Sequence, residues 1–174
     1  MNIVINTPAG NIGRVVANRL LLAGNDVTMI SRNPTKVQYL IRQGASLIQG
    51  SLDDTSVVDR ALEGADALFW LTPFAFDQPD YLNWARQIGR VAANSVKRHS
   101  VKRVVLVSSI GAHQESGVGP IGCLPTIENS FKEVAPEVTS LRAGSFMENF
   151  MNDVHSIAVT GTIRSEERRV GKEC

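Results

Sequence analysis

Six short runs rich in Val, Ile and Leu, at residues 3–5, 26–30, 46–48, 67–71, 103–107 and 138–141, recur along the chain with longer helix-like segments between them. Strands that are apolar without polar alternation must be covered on both faces, and crossover helices are the elements that cover them. The pattern therefore predicts parallel strands joined by helices, a doubly wound α/β sheet. Between the first two runs, Ile12, Val15, Val16, Leu20 and Leu21 recur at helical spacing, and Gly24 with Asn25 supplies a stop. That is a βαβ unit of ordinary length. A chain of 174 residues, 43% hydrophobic, buries the core of one domain. It shows no internal repeat and no low-complexity linker.

Charge narrows the partners. Lys and Arg number 18 against 17 Asp and Glu, so no overall field draws the protein to nucleic acid or to an acidic membrane. The basic run 97–103 falls at the end of a predicted helix, where cations complement the helix dipole, and it has no interleaved aromatics. Cys123 and Cys174 lie far apart without metal-ligand spacing, which fits a reducing, cytoplasmic setting. The N-terminus enters a strand directly, without a basic leader, and no apolar stretch reaches spanning length. His99, His113 and His155 sit on different segments with no partner spacing, so neither a metal site nor a Ser-His-Asp triad is expected.

Residues 164–174 break the pattern. They read Arg-Ser-Glu-Glu-Arg-Arg-Val-Gly-Lys-Glu-Cys, with one aliphatic side chain, Val170, and no period that would bury a face. The same eleven residues match the translation of a common DNA-sequencing adapter. The expected organisation is a nucleotide-binding fragment over 1–163, with its C-terminal substrate part missing, followed by a foreign tail that packs on nothing.

The segment Thr7-Pro8-Ala9-Gly10-Asn11-Ile12-Gly13 leaves the first strand and opens the first helix. A glycine at such a turn lets backbone approach a pyrophosphate, a second lets helix pack on strand, and the helix N-terminus offers free N–H groups to phosphate. Together with the alternating pattern this is a Rossmann-type arrangement, with Thr7 where the usual fingerprint has its first glycine. The second strand ends in Ser31-Arg32-Asn33-Pro34, nineteen residues beyond Gly13 at Arg32. A carboxylate at this distance accepts from the ribose hydroxyls of NAD, whereas an arginine pairs with the 2′-phosphate of NADP. Arg32 is thus either that phosphate ligand or a solvated surface arginine, and Lys36 either adds to the positive potential or is ordinary surface.

The chain resembles the NmrA-like group of atypical short-chain dehydrogenase/reductase proteins, which holds NAD(P)H-dependent quinone and azo reductases as well as redox-sensing regulators. The resemblance rests on the ordered stretches 9–13, 31–34, Gly50-Ser51-Leu52-Asp53-Asp54, Leu71-Thr72-Pro73, Val107-Ser108-Ser109 and 141–150, and it covers residues 1–163. It implies that Gly10, Asn11, Ile12 and Gly13, beside Thr7, cradle the pyrophosphate of NADP(H) and that Arg32 meets the 2′-phosphate. Leu52 and Asp53 would edge the adenine, and Leu71, Thr72 and Pro73 the nicotinamide side. Ser51 departs from the family, which has an acid there.

The wider superfamily uses a Tyr-x-x-x-Lys pair for proton transfer. Here both tyrosines, Tyr39 and Tyr81, precede the fifth strand, and the corresponding helix carries Leu124, Glu128 and Lys132. Glu128 reads as a helix-surface or hinge-facing residue rather than as a general acid. Ser108 and Ser109 either hydrogen-bond a ligand or cap the strand end. Phe146, Met147 and Phe150 either wall the nicotinamide or belong to the core, and Asn149 could offer a hydrogen bond there. Two functions remain open: a reductase passing hydride from NADPH to a quinone-like or azo small-molecule acceptor, or a non-catalytic NADP(H) sensor. Oligomeric state is not legible.

Overall fold

The computed structural model describes residues 1–75, 77–114, 117–144 and 146–162. The expectation for the 164–174 tail, Val170 included, lies outside the described residues. Two compact units are present, Met1–Arg142 and the segment from Ala143 onward.

The first unit is built on strands β1 (Asn2–Asn6), β2 (Asp26–Ser31), β3 (Ser46–Gln49), β4 (Ala67–Leu71), β5 (Arg103–Ser109) and β6 (Glu137–Ala143, which ends at the unit boundary). Each of the six apolar runs became a strand. They form one sheet in the order β3-β2-β1-β4-β5-β6, and β1 pairs in parallel with both β2 and β4. The β2–β3 and β4–β5 ladders are parallel too, with Leu71 opposite Val107. The predicted doubly wound, Rossmann-type α/β fold is the fold observed.

Helices α1 (Asn11–Leu22), α2 (Gln38–Arg42), α3 (Thr55–Leu62), α4 (Tyr81–Arg98) and α5 (Leu124–Lys132) form the connections. Successive strand side chains point to opposite faces. Ile5, Met29 and Phe69 accordingly join a core with Ala17 of α1 and Leu40 of α2. Val4, Leu68, Trp70 and Leu106 join another with Val57 and Val58 of α3, Ile88 of α4, and Ile127 and Phe131 of α5. Trp70 and Phe131 meet edge to face at 5.8 Å, fixing α5 over the centre of the sheet. Because the chain runs outward in opposite directions from β1 and β4, the loops at their carboxyl ends part and leave a crevice, the usual ligand position in such sheets.

Two details differ from the sequence reading. Val15, counted on the inner face of α1, is 53% exposed; Gly13 and Ala17 are the residues buried there, because a helix this close to the sheet admits only small side chains at the contact. β6 is not covered like the others: its residues alternate between half-buried and exposed, and Leu141 is exposed. It ends the strand order, so cover and pairing come from one side.

From Ala143 onward, a 3-10 turn over Met147–Asp153 leads into α6 (Val154–Thr160), which Gly161 closes in the left-handed conformation. Phe146, Met147 and Phe150 are exposed, so the reading of them as plain core does not hold. A short two-turn segment has too little surface of its own to enclose three large side chains. No helix among the described residues is long and apolar enough to cross a membrane.

Candidate functional site

At the carboxyl end of β1 the backbone makes a tight turn, with the Gly10 N–H donating to the Thr7 carbonyl at 3.1 Å. Thr7 adopts φ 52, the left-handed region that favours glycine, so the threonine keeps the conformation of the glycine it replaces. Gly13 explains itself sterically. A Cβ there would stand 2.2 Å from the Thr7 carbonyl oxygen, so only glycine lets α1 start directly against the turn. Gly10 is different, because a Cβ would find the same oxygen at 3.5 Å, an ordinary contact. Packing alone does not require glycine at position 10.

The first turn of α1 contrasts with those of α3 and α4. Asp54 accepts from the Ser56 amide at 2.9 Å and Asp80 from the Asn83 amide at 3.0 Å, so both helices carry an acidic side-chain cap. Gly10 caps α1 without a side chain, and no acid lies in its first turn. The amides of Asn11, Ile12 and Gly13 and the positive end of the dipole are left for an anion. Beside them the Thr7 hydroxyl oxygen is buried with no hydrogen-bond partner among the described residues, which costs free energy until a ligand or solvent atom meets it.

From this turn a cleft of about 210 Å³ runs over the end of β2. Thr7, Pro8 and Ala9 line it together with Arg32, Asn33 and Lys36, and among the described residues no carboxylate does. Asn33 is held by its own turn, its side chain accepting from the Thr35 amide at 3.0 Å, which also sets the path of the chain carrying Arg32 and Lys36. Leu52, Pro73 and Trp84 supply apolar lining. The lining thus combines cationic side chains with apolar and aromatic ones, the chemistry of a phosphorylated ribose joined to a flat base.

Of the residues expected at the site, Thr7, Arg32, Leu52 and Pro73 line this cleft. Gly10, Asn11, Ile12 and Gly13 open α1 directly after Thr7, Pro8 and Ala9. Leu71 and Thr72 stand at the end of β4, just before Pro73. Asp53 is exposed and outside the lining.

Sequence reasoning missed two residues here. Asn6, fully buried, donates through Nδ2 to the Leu71 carbonyl and accepts from the Leu71 amide through Oδ1, both at 2.8 Å. It stitches β1 to β4 where their chains part, and so fixes the Thr7 turn relative to Leu71 and Thr72. An asparagine ending an apolar run was the available signal. Trp84, on α4, gave none, because its place in the cleft depends on how α4 packs.

A second polar constellation lies at the end of β5. Glu128 is 1% exposed, which overturns its reading as a helix-surface or hinge-facing residue. Its carboxylate accepts from Ser108 Oγ at 2.6 Å, from Arg142 Nε and Nη2 at 3.0 and 2.8 Å, and from Lys132 Nζ at 3.4 Å. Burial pushes its pKa up, but the hydrogen bonds from Arg142 and Ser108 and the Arg142 charge outweigh this and hold it down at about 2. A carboxylate so held is ionised at neutral pH and is no general acid. Ser108 gives its one proton to Glu128, so it does not donate to a ligand carbonyl. Burial, and then Cys123, raise the Tyr81 phenol well above the ordinary range.

Two residues of the basic run 97–103 are paired locally, Arg98 with Asp59 and Arg103 with Glu137.

A parallel doubly wound sheet with an uncapped glycine turn and a cationic cleft at its switch point defines a dinucleotide-binding protein. The chain belongs to the family described as NAD(P)H-binding, which matches residues 9–138. The expected cofactor, NADP(H), is of the class this family binds. Among curated proteins it is similar to (4-alkanoyl-5-oxo-2,5-dihydrofuran-3-yl)methyl phosphate reductase of Streptomyces griseus subsp. griseus, 28% identical over 165 residues, covering 94% of this chain and 54% of that protein. It is also 26% identical over 152 residues to the NAD(P)H azoreductase of Xenophilus azovorans, covering 87% and 51%. Its fold matches the crystal structure of an NADPH-dependent quinone oxidoreductase from Escherichia coli complexed with NADPH, with a TM-score of 0.76 and 23% identity, covering 91% of this chain and 54% of that one. The chain therefore spans about half the length of the curated relatives it matches.

Proposed function

We propose that this chain is the cofactor-binding part of an NADPH-dependent reductase of the NmrA-like atypical branch, acting on a quinone-like or azo acceptor. The observation that carries the cofactor choice is the presence of Arg32, Asn33 and Lys36 in the cleft lining, with no carboxylate in it among the described residues. A 2′-phosphate there gains charge-assisted hydrogen bonds, whereas the free hydroxyls of NAD find no acceptor carboxylate. The uncapped α1 amides and the Thr7 hydroxyl would hold the diphosphate side, Leu52, Pro73 and Trp84 the base, and Leu71 and Thr72 the nicotinamide side. The bound dinucleotide supplies hydride; the protein supplies position and exclusion of water. The acceptor class is supported by the azoreductase and quinone oxidoreductase relatives and by the lack of a Tyr-x-x-x-Lys pair, since a reduced quinone leaves a weakly basic oxygen that solvent can protonate. Residues 1–163 form this part in the same reading, and 164–174 are a foreign tail.

The test is binding of NADPH and NADH to the chain and to its Arg32→Ala variant, followed by calorimetry. A charge-assisted phosphate contact is worth roughly 1.5 to 3 kcal/mol, about one to two decades in affinity. NADPH should weaken by that factor and NADH hardly at all. Equal losses, or none, would remove Arg32 as the phosphate ligand and with it the preference for NADPH.

A further inference from the structure

Burying an ion pair is a costly way to hold a helix against a strand, and an apolar pair of similar volume does it as well or better. In the Glu128–Arg142 pair one partner is nevertheless buried and the other reaches solvent: the Glu128 side chain is 1% exposed and that of Arg142 42% exposed. Glu128 grips Arg142 side-on, through Nε and Nη2. Two of the guanidinium's five N–H donors are spent in this grip, and among the described residues the other three meet no further side-chain partner. Lys132, 50% exposed, bonds the same carboxylate, so the cluster carries charges of −1, +1 and +1 and is net positive. Ser108 is the penultimate residue of β5 and Arg142 of β6, which places both at the carboxyl edge of the sheet, where open α/β sheets hold their ligands.

We infer that Arg142, oriented by the buried Glu128, is the subsite for the negatively charged oxygen of the electron acceptor. The inference rests on the reductase reading above. Hydride delivered to one end of a quinone leaves a pair of electrons on the oxygen at the other, and a proton from solvent then balances the hydroquinone. A guanidinium already fixed in place stabilises that oxyanion before the proton arrives, without reorganising. Ser108 cannot share the task as a donor, because its proton is committed to Glu128. Glu128 is a positioning residue here, and Arg142 is the group that touches the acceptor.

The test uses two ligands of nearly equal shape, 2-hydroxy-1,4-naphthoquinone, which is an anion at neutral pH, and its neutral methyl ether, each titrated calorimetrically into the chain saturated with NADP⁺. The chain should prefer the anion by about tenfold to a hundredfold. Glu128→Gln keeps the cation and should keep most of the preference. The double variant Glu128→Gln/Arg142→Gln removes both charges, leaves no orphaned carboxylate in the interior, and should bind the two ligands equally. A double variant that still prefers the anion, or a native chain that never does, overturns the assignment. NADPH affinity, and its dependence on Arg32, is measured separately in the same samples, so a failure of the cofactor reading is told apart from a failure of this one.

Discussion

Gly10 and Gly13 sit in one turn, yet the structure gives them separate tasks, and alanine at each should separate stability from binding. At Gly13 a Cβ would lie 2.2 Å from the Thr7 carbonyl oxygen, 2.9 Å from its carbon and 3.2 Å from the Pro8 Cα, all backbone atoms without a rotamer to yield. Restoring a tolerable contact means moving the turn and α1 apart by about 1 Å, and overpacking of this kind costs roughly 1 to 3 kcal/mol. In a domain of this size each kcal/mol moves the melting temperature by about 2 to 4 °C. Gly13→Ala should therefore melt about 2 to 12 °C lower. Gly10, with φ −79 and ψ 168, already has a conformation open to alanine, and its Cβ would meet only an ordinary contact. Gly10→Ala should melt at or slightly above the native temperature, by up to about 1 kcal/mol from the stiffer unfolded chain. Its methyl group, however, would occupy the space in which a diphosphate approaches the α1 amides, and NADPH affinity should fall about tenfold or more. Melting is followed by circular dichroism and affinity by calorimetric titration. If Gly10→Ala bound NADPH like the native chain, the turn would not be the cradle; if Gly13→Ala melted unchanged, the packing argument would fail.

Thr7→Gly tests the strain at φ 52. Relief of about 1 to 2 kcal/mol, less about 0.5 to 1 kcal/mol for the added freedom of glycine in the unfolded chain, predicts a net gain of up to about 1.5 kcal/mol in urea unfolding; a clear loss would mean that the threonine's own contacts outweigh the strain. Glu128 sets an acid limb. Its folded pKa of about 2 lies below the ordinary 4.5, so its contribution, on the order of 3 kcal/mol, is complete above about pH 4.5 and lost as pH falls from there towards 2. Stability measured against pH should fall through that window in the native chain and much less steeply in Glu128→Gln, and parallel curves would show that the carboxylate is not held down as described.

The sequence by itself determined the fold class, because six doubly apolar runs alternating with amphipathic segments have few other ways to bury themselves. It also placed the turn at 7–13 and the arginine at 32, since both lie in one βαβ unit whose geometry is local and whose spacing is set by the length of one helix and one strand. Only the tertiary structure decided what depends on contacts between distant segments. Asn6 and Leu71, 65 residues apart, meet because β1 and β4 are neighbours at the switch point. Trp84 reaches the cleft through the packing of α4. Glu128 looked like a surface residue because its helix offers no other sign; its burial follows from Ser108 on β5 and Arg142 on β6, which arrive from 20 residues before it and 14 after it. Periodicity reports which face of an element is apolar, and it is silent about a polar side chain on that face whose partners are supplied by other strands.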